Sequence, residues 1–247
     1  QATEWFGKYK VAVSGLDALG IPVYNTPGNH DMANLACETA AGATAGCSKN
    51  AYRNAFGPTY YSFDWGTYHC VVLDPNGVSG GKEVFSITAS QLAWLQADLG
   101  YRAKSSPVLV FTHEPTSAWR SQETVLSLLK QYKAQIFSGH AHQNLLMDSG
   151  GVPEQGTAAL SGEWGHGDNL DGSTPGYRIV SVAGSALDDF YKEIDSTQQI
   201  EISPAGATWP ILNGQVELVA KIYAGSGTVS GVTYAVDNAT AVDMTLT

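Results

Sequence analysis

The chain has 247 residues, with 13 Lys+Arg against 23 Asp+Glu and a formal charge of -10. Its apolar fraction of 43% excludes a disordered chain and supplies a core for one large domain, with or without a small appendage. No apolar run approaches the roughly 18 residues of a membrane span, and the acidic excess argues against stable nucleic-acid binding through phosphates.

In chain order, Trp5, Phe6, Tyr9, Val13, Leu16 and Leu19 recur at helical spacing over 2–20 and stop at Gly20. Residues 21–25 read as a strand, broken by Pro27-Gly28 and entering a tight loop, Asn29-His30-Asp31. Cys37 and Cys47 bracket a small polar loop with little means of ordering itself by burial. A disulfide between them would remove unfolded-state entropy worth roughly 3 kcal/mol; two unrelated free thiols are the alternative. A disulfide needs an oxidising compartment, and scarce lysine agrees, so a secreted or periplasmic protein is expected. Cys70 lies in an apolar run and is expected as a buried free thiol, a partner in upstream sequence being the alternative.

Residues 60–65 and 68–73 alternate as two strands joined by Gly66-Thr67. Thr88 and Gln91 have the spacing of a capping box, opening a helix that runs to Gly100 with Leu92, Leu95 and Leu99 on one face. A buried strand at 107–111, a helix at 121–132, a strand at 135–137 and another at 144–150 follow. Beyond about residue 155 the helical pattern vanishes; 176–184, 188–194 and 198–202 read as strands. A Pro/Gly stretch after Pro204 precedes a tail that alternates like part of a β-sandwich. The expected fold is α/β, layered mixed β-sheets with flanking helices, followed by a small all-β C-terminal region. The expected division is 1–203 and 204–247, with the tail open to glycan or protein contact. Asn238-Ala239-Thr240 fits the glycosylation pattern.

Four of the six histidines follow expected strands: His30, His113, His140 and His142. In α/β sheets the crevice beyond the strands' carboxyl ends binds ligands. Packing alone does not predict four His, an Asn and an Asp converging there. Imidazole, carboxylate and amide oxygen without a nearby thiolate suit Zn, Mn or Fe and exclude a zinc finger. Gly139 permits a tight turn, after which His140 and His142 can serve two metals or one metal twice. Two divalent ions roughly 3.5–4 Å apart can clamp both oxygens of an in-line displacement.

Gly28-Asn29-His30-Asp31, His113 in its strand–THEP setting, and Gly139-His140-x-His142 together resemble the later signature blocks of the calcineurin-like metallophosphoesterases. The stretch WGHGDNLDGSTPGY is similar to the D-G-x-P-x-G-Y segment of secreted bacterial members, which carry a β-rich region after the catalytic fold. The resemblance covers roughly residues 1–195. It implies hydrolysis of a phosphomonoester or phosphodiester, in a small molecule, nucleotide or lipid. It also implies that Asn29, His113 and His140 ligate one metal and His142 the other. A metal-bridging hydroxide would attack, His30 would protonate the leaving oxygen, and Asp31 would fix the His30 tautomer. Two divalent ions (Zn, Mn or Fe) are implied for the intact protein, and one or none for the chain as written. The family's D-x-H and G-D-x-x-D blocks do not precede Asn29; Asp17, the sole upstream Asp, reads as a surface carboxylate. The chain therefore reads as a fragment of an enzyme rather than as a lineage that abandoned catalysis. A nucleotide pyrophosphatase, and a non-catalytic binding or structural module on the same fold, are the alternatives.

Asp74 is placed either in the site or in plain turn chemistry. Trp164 and His166, in a Gly-rich loop, are candidate substrate contacts, whereas Asp171-Gly172 and Tyr177 are expected to fix that loop. His69 reads as a packed histidine, and Trp94 and Trp119 as core or subsite aromatics.

Overall fold

The structure, a computed structural model, describes residues 2–41, 46–184, 186–197, 199–204, 218–223, 229–237 and 239–245. Helix α1 (Ala2–Ala18) forms as its spacing predicts, and packs on a short helix α2 (Asn50–Phe56) that periodicity did not reveal. Phe6 sits edge-on to Phe56 and to Tyr52, while Trp5, Tyr9, Leu16 and Leu19 stay exposed. Residues 21–25 are extended but form no strand, which corrects the expectation for that segment. Side chains hold the segment instead of a ladder. Tyr24 stacks on Phe63 at 3.6 Å, and the hydroxyls of Tyr52 and Tyr61 both donate to the Asn25 carbonyl at 3.0 Å. Cys37 and Cys47 form a disulfide, and Cys70 is a buried free thiol whose pKa burial pushes up to about 11.

β1 (Tyr61–Trp65) and β2 (Tyr68–Val72) form the expected antiparallel hairpin. β3 (Asn76–Ser79) and β4 (Lys82–Phe85) form a second hairpin that sequence reading missed, turning at Gly80-Gly81 with both φ positive. Helix α3 (Ala89–Gly100) is capped by the Thr88 side chain, which accepts from the Gln91 N–H at 3.2 Å. The reciprocal half of the capping box is not made. The Gln91 amide instead clamps the Asp74 backbone, accepting from its N–H at 2.9 Å and donating to its carbonyl at 2.8 Å.

Then come β5 (Pro107–Phe111), α4 (Gln122–Leu129), β6 (Lys133–Ser138), β7 (Leu145–Asp148) and β8 (Pro153–Gly156). The main sheet has the order β1-β2-β5-β6-β8-β7, with β2, β5, β6 and β8 parallel and both edge strands antiparallel. Alternation along the strands gives the sheet two apolar faces. One carries Val71, Val108, Val110 and Ile136, packed on Leu95 and Leu99 of α3 and on Val125 and Leu129 of α4. The other carries Cys70, Leu109 and Phe137, covered by Val180 and Leu187 of the hairpin formed by β9 (Gly176–Ala183) and β10 (Ala186–Glu193). Trp119 is buried in the first face and Trp94 packs against it, so both are core. His69 is buried as expected, with Asp64 at 2.8 Å on one ring nitrogen and Asp98 at 2.7 Å on the other.

The C-terminal region contributes β11 (Gln199–Pro204) paired with β12 (Leu218–Tyr223), and β13 (Thr233–Tyr234) paired with β14 (Val242–Asp243). The divide drawn at 203/204 falls within β11; most of the Pro/Gly stretch and Asn238 lie outside the described residues. Among the described residues no helix is long and apolar enough to cross a membrane.

Candidate metal centre

Parallel strands deliver their C-terminal loops to one edge of the sheet. Because β5 and β6 are neighbours, His113 and His140 arrive side by side, with ring centroids 5.2 Å apart. The ladder continues into the loops: Thr112 N–H donates to the Phe137 carbonyl at 3.1 Å and Gly139 N–H to the His113 carbonyl at 2.9 Å. Gly139 does not adopt the left-handed conformation. His140 (φ 63°) and His142 (φ 52°) do, so the ligand-bearing residues carry the turn's strain themselves.

The Asn29-His30-Asp31 turn meets these loops at Gly28, which packs on His113. Asn76 of β3 donates to the Pro27 carbonyl at 3.3 Å, and Gly28 packs so tightly that an added Cβ would stand 2.8 Å from His113. Asn29 Nδ2 donates to Glu83 at 3.4 Å, which turns Asn29 Oδ1 away from that carboxylate. Asp31 accepts from the Gly28 N–H at 2.8 Å. Among the described residues no hydrogen bond joins Asp31 to the His30 ring. One oxygen of that carboxylate closes the 28–31 turn. Burial raises the Asp31 pKa, with Asp74 adding in the same sense.

A cavity of about 340 Å³ opens between these loops, walled by Asn29, His30, His113, His140 and His142 and roofed by Trp164 and Leu170. Trp164, itself at φ 53°, stands edge-on to His30 at 6.0 Å and tilted over His142 at 5.8 Å. Leu170 N–H donates to the His142 carbonyl at 2.9 Å, and Asp171 accepts from the Asn144 N–H at 2.7 Å and the Ser173 hydroxyl at 2.6 Å. These bonds lash the Gly-rich loop to the histidine turn. His166 is exposed, bonded to the Trp164 carbonyl, and does not line the cavity. Asp74 does not line it either. It is buried behind Asp31, bonded to Lys49 Nζ at 2.6 Å and to the Asn76 N–H at 3.1 Å, so its turn-and-anchor role is the observed one.

Burial pushes the His113 pKa down to about 4, with His140, His30 and His142 adding repulsion; burial lowers His140 also. Neutral imidazole is the form that ligates metal. Glu114 and Glu83 were not singled out from sequence. Burial pushes the Glu114 pKa up to about 8; Asp74 and Glu83 add to that, and the nearby Glu114 and Asn29 backbone N–H groups, outside hydrogen-bond geometry, only partly oppose it. The adjacency of Glu114 to His113 was the available signal; Glu83 came to the site through a hairpin that sequence did not show.

A divalent cation fits these residues. Six buried side-chain atoms lack a hydrogen-bond partner among the described residues, and four of them are Asn29 Oδ1, His142 Nδ1 and both oxygens of Glu114. Ligating atoms of His113, Glu114 and His140 all lie within 4.8 Å of one another. Nitrogen and oxygen donors left unpaired in one place are the donor set that Zn or Mn takes.

Comparison with protein families finds that the calcineurin-like phosphoesterase model matches residues 3–144, more than half of the chain. The chain belongs to that family, whose general chemistry is metal-assisted phosphoester hydrolysis. No curated protein matches it.

Proposed function

We propose that this chain is an exported, metal-dependent phosphoesterase acting on a phosphomonoester or phosphodiester. The observation that carries the reading is the convergence of Asn29, His113 and His140 on one cavity wall, with Asn29 Oδ1 buried and unpaired. These three would hold one divalent ion and His142 would face a second. When bound, divalent metal supplies Lewis-acid charge for phosphoryl oxygens and lowers the pKa of water. The chain's own residues do the rest.

His30 borders the cavity from an exposed position, which suits proton delivery to a leaving oxygen. Trp164 and Leu170 limit access over His30 and His142, and a cavity of about 340 Å³ accommodates a small phosphate ester rather than a folded partner. His30→Ala tests the assignment on a series of aryl and alkyl phosphate esters. The expected result is a loss of kcat that grows as the leaving group becomes a poorer one, since poor leaving groups need the proton. An equal loss on every ester would remove His30 from that role. The disulfide and the scarcity of lysine support export.

A further inference from the structure

Two glutamates are fully buried beside the histidine loops, and their surroundings differ in kind. Glu154 of β8 is saturated: it accepts from the Thr116 N–H at 3.0 Å and the Thr116 hydroxyl at 2.5 Å, from Ser138 at 2.7 Å and from Ser149 at 2.5 Å. Glu114 has no hydrogen-bond partner on either oxygen, and among the described residues no ion pair reaches it. Burial without partners disfavours the ionised form, so the donors left free on Glu114 become a carboxylate only where a cation is bound beside them. The fold shows at Glu154 how it satisfies a structural carboxylate, and it does not do so at Glu114.

We propose that Glu114 is a metal ligand of this chain, supplying the anionic donor beside His113 and His140 for a divalent cation that Asn29 Oδ1 also faces. The proposal rests on the metal-dependent reading above. Ligating atoms of His113, Glu114 and His140 fall within 4.8 Å of one another, close to the reach of one ion with bonds of roughly 2.0–2.2 Å. Glu114 does not line the open cavity, so it meets the imidazoles from the protein side and not the substrate side. That position excludes proton transfer to substrate and suits a ligand. The set of two imidazoles, one carboxylate and one amide oxygen fits Zn or Mn.

The test uses the 247-residue chain stripped with chelator, titrated calorimetrically with Zn²⁺ or Mn²⁺ and melted with and without metal. Glu114→Gln, a neutral isostere, is expected to weaken metal binding at least tenfold and to shrink the metal-induced rise in Tm. Its metal-free Tm should stay close to that of the wild type, because an unpartnered buried acid is neutral without metal and the amide replaces it atom for atom. Glu114→Met should do the same with no polar atom left. Wild-type affinity in both variants would overturn the proposal while leaving the metal centre standing. A metal-free Tm that falls in both, with affinity unchanged, would make Glu114 structural and also overturn it. His140→Ala identifies the titrated site. If it binds metal like the wild type, or if the wild type binds none, the metal-dependent reading falls and this proposal with it.

Discussion

Gly28→Ala is a sensitive probe of the centre, because it adds one methyl group where the turn meets a proposed ligand. The Gly28 backbone (φ -108°, ψ 173°) is one that alanine adopts freely, so any effect is steric. The new Cβ would stand 2.8 Å from His113 Cδ2 and 2.9 Å from its Cγ, about 0.6 Å inside the 3.4 Å of ordinary contact. The imidazole borders an open cavity and can swing away, so the folding cost sits at the low end of overpacking, about 1 kcal/mol. That lowers Tm by roughly 2–4 °C for a chain of this size. A metal site tolerates only about 0.2 Å of error in its bond lengths, so the same 0.6 Å matters far more there. Metal affinity by calorimetry should fall about 10–100-fold, the range seen when a ligand's support is removed. Wild-type affinity in Gly28→Ala would refute the idea that His113 is held against Gly28 in order to bind metal.

Other expectations follow from the anchors around the site. Replacing Cys37 and Cys47 with Ser opens a loop with a sequence separation of 10 and should cost about 3 kcal/mol in denaturant unfolding; an unchanged midpoint would count against it. Burial raises the Asp171 pKa, but bonds from Ser173 and Asn144 outweigh it and leave the carboxyl below its usual range. A folded pKa below the unfolded one gives stability that is present above about pH 3.8 and lost as pH falls through the folded value. Thermal melts from pH 6 to pH 2.5 should therefore show a shallower acid decline in Asp171→Asn than in the wild type. Glu154→Leu strands donors on Thr116, Ser138 and Ser149 and should destabilise by about 3 kcal/mol or more, measured by urea unfolding.

The β2, β5 and β6 strands and the helices between them were legible because apolar runs and alternation match their burial on both sheet faces. The site was legible because strand-end histidines in an α/β pattern meet at one edge. Residues 21–25 show the limit of that reasoning: an extended apolar run becomes a strand only where another strand supplies a ladder, and here Tyr52, Tyr61 and Phe63 hold it with side chains. β8 reads as Pro-Glu-Gln-Gly, with no β-branched residue, yet it lies between β6 and β7, where Glu154 is buried with hydrogen bonds from Thr116 and Ser149 of two connecting segments and from Ser138 of β6. The β3–β4 hairpin announces itself only through Gly80-Gly81, a two-residue turn signal. With that hairpin unseen, Glu83 beside Asn29 could not be placed. Gly139 suggests a tight turn, but backbone geometry puts the left-handed residues at His140 and His142. Periodicity speaks to burial and not to φ. Asp74 and Gln91 illustrate the same point for polar residues, whose partners come from segments distant in the chain.

We propose metal-dependent phosphoester hydrolysis at the Asn29–His113–His140 cavity. Its most direct test is hydrolysis of p-nitrophenyl phosphate and bis(p-nitrophenyl) phosphate by the chelator-stripped intact protein, before and after adding Mn²⁺ or Zn²⁺. The expected result is no turnover without metal, turnover restored by one of these ions, and none in His113→Ala. Turnover that survives chelation, persists in His113→Ala, or never appears with either metal would contradict it.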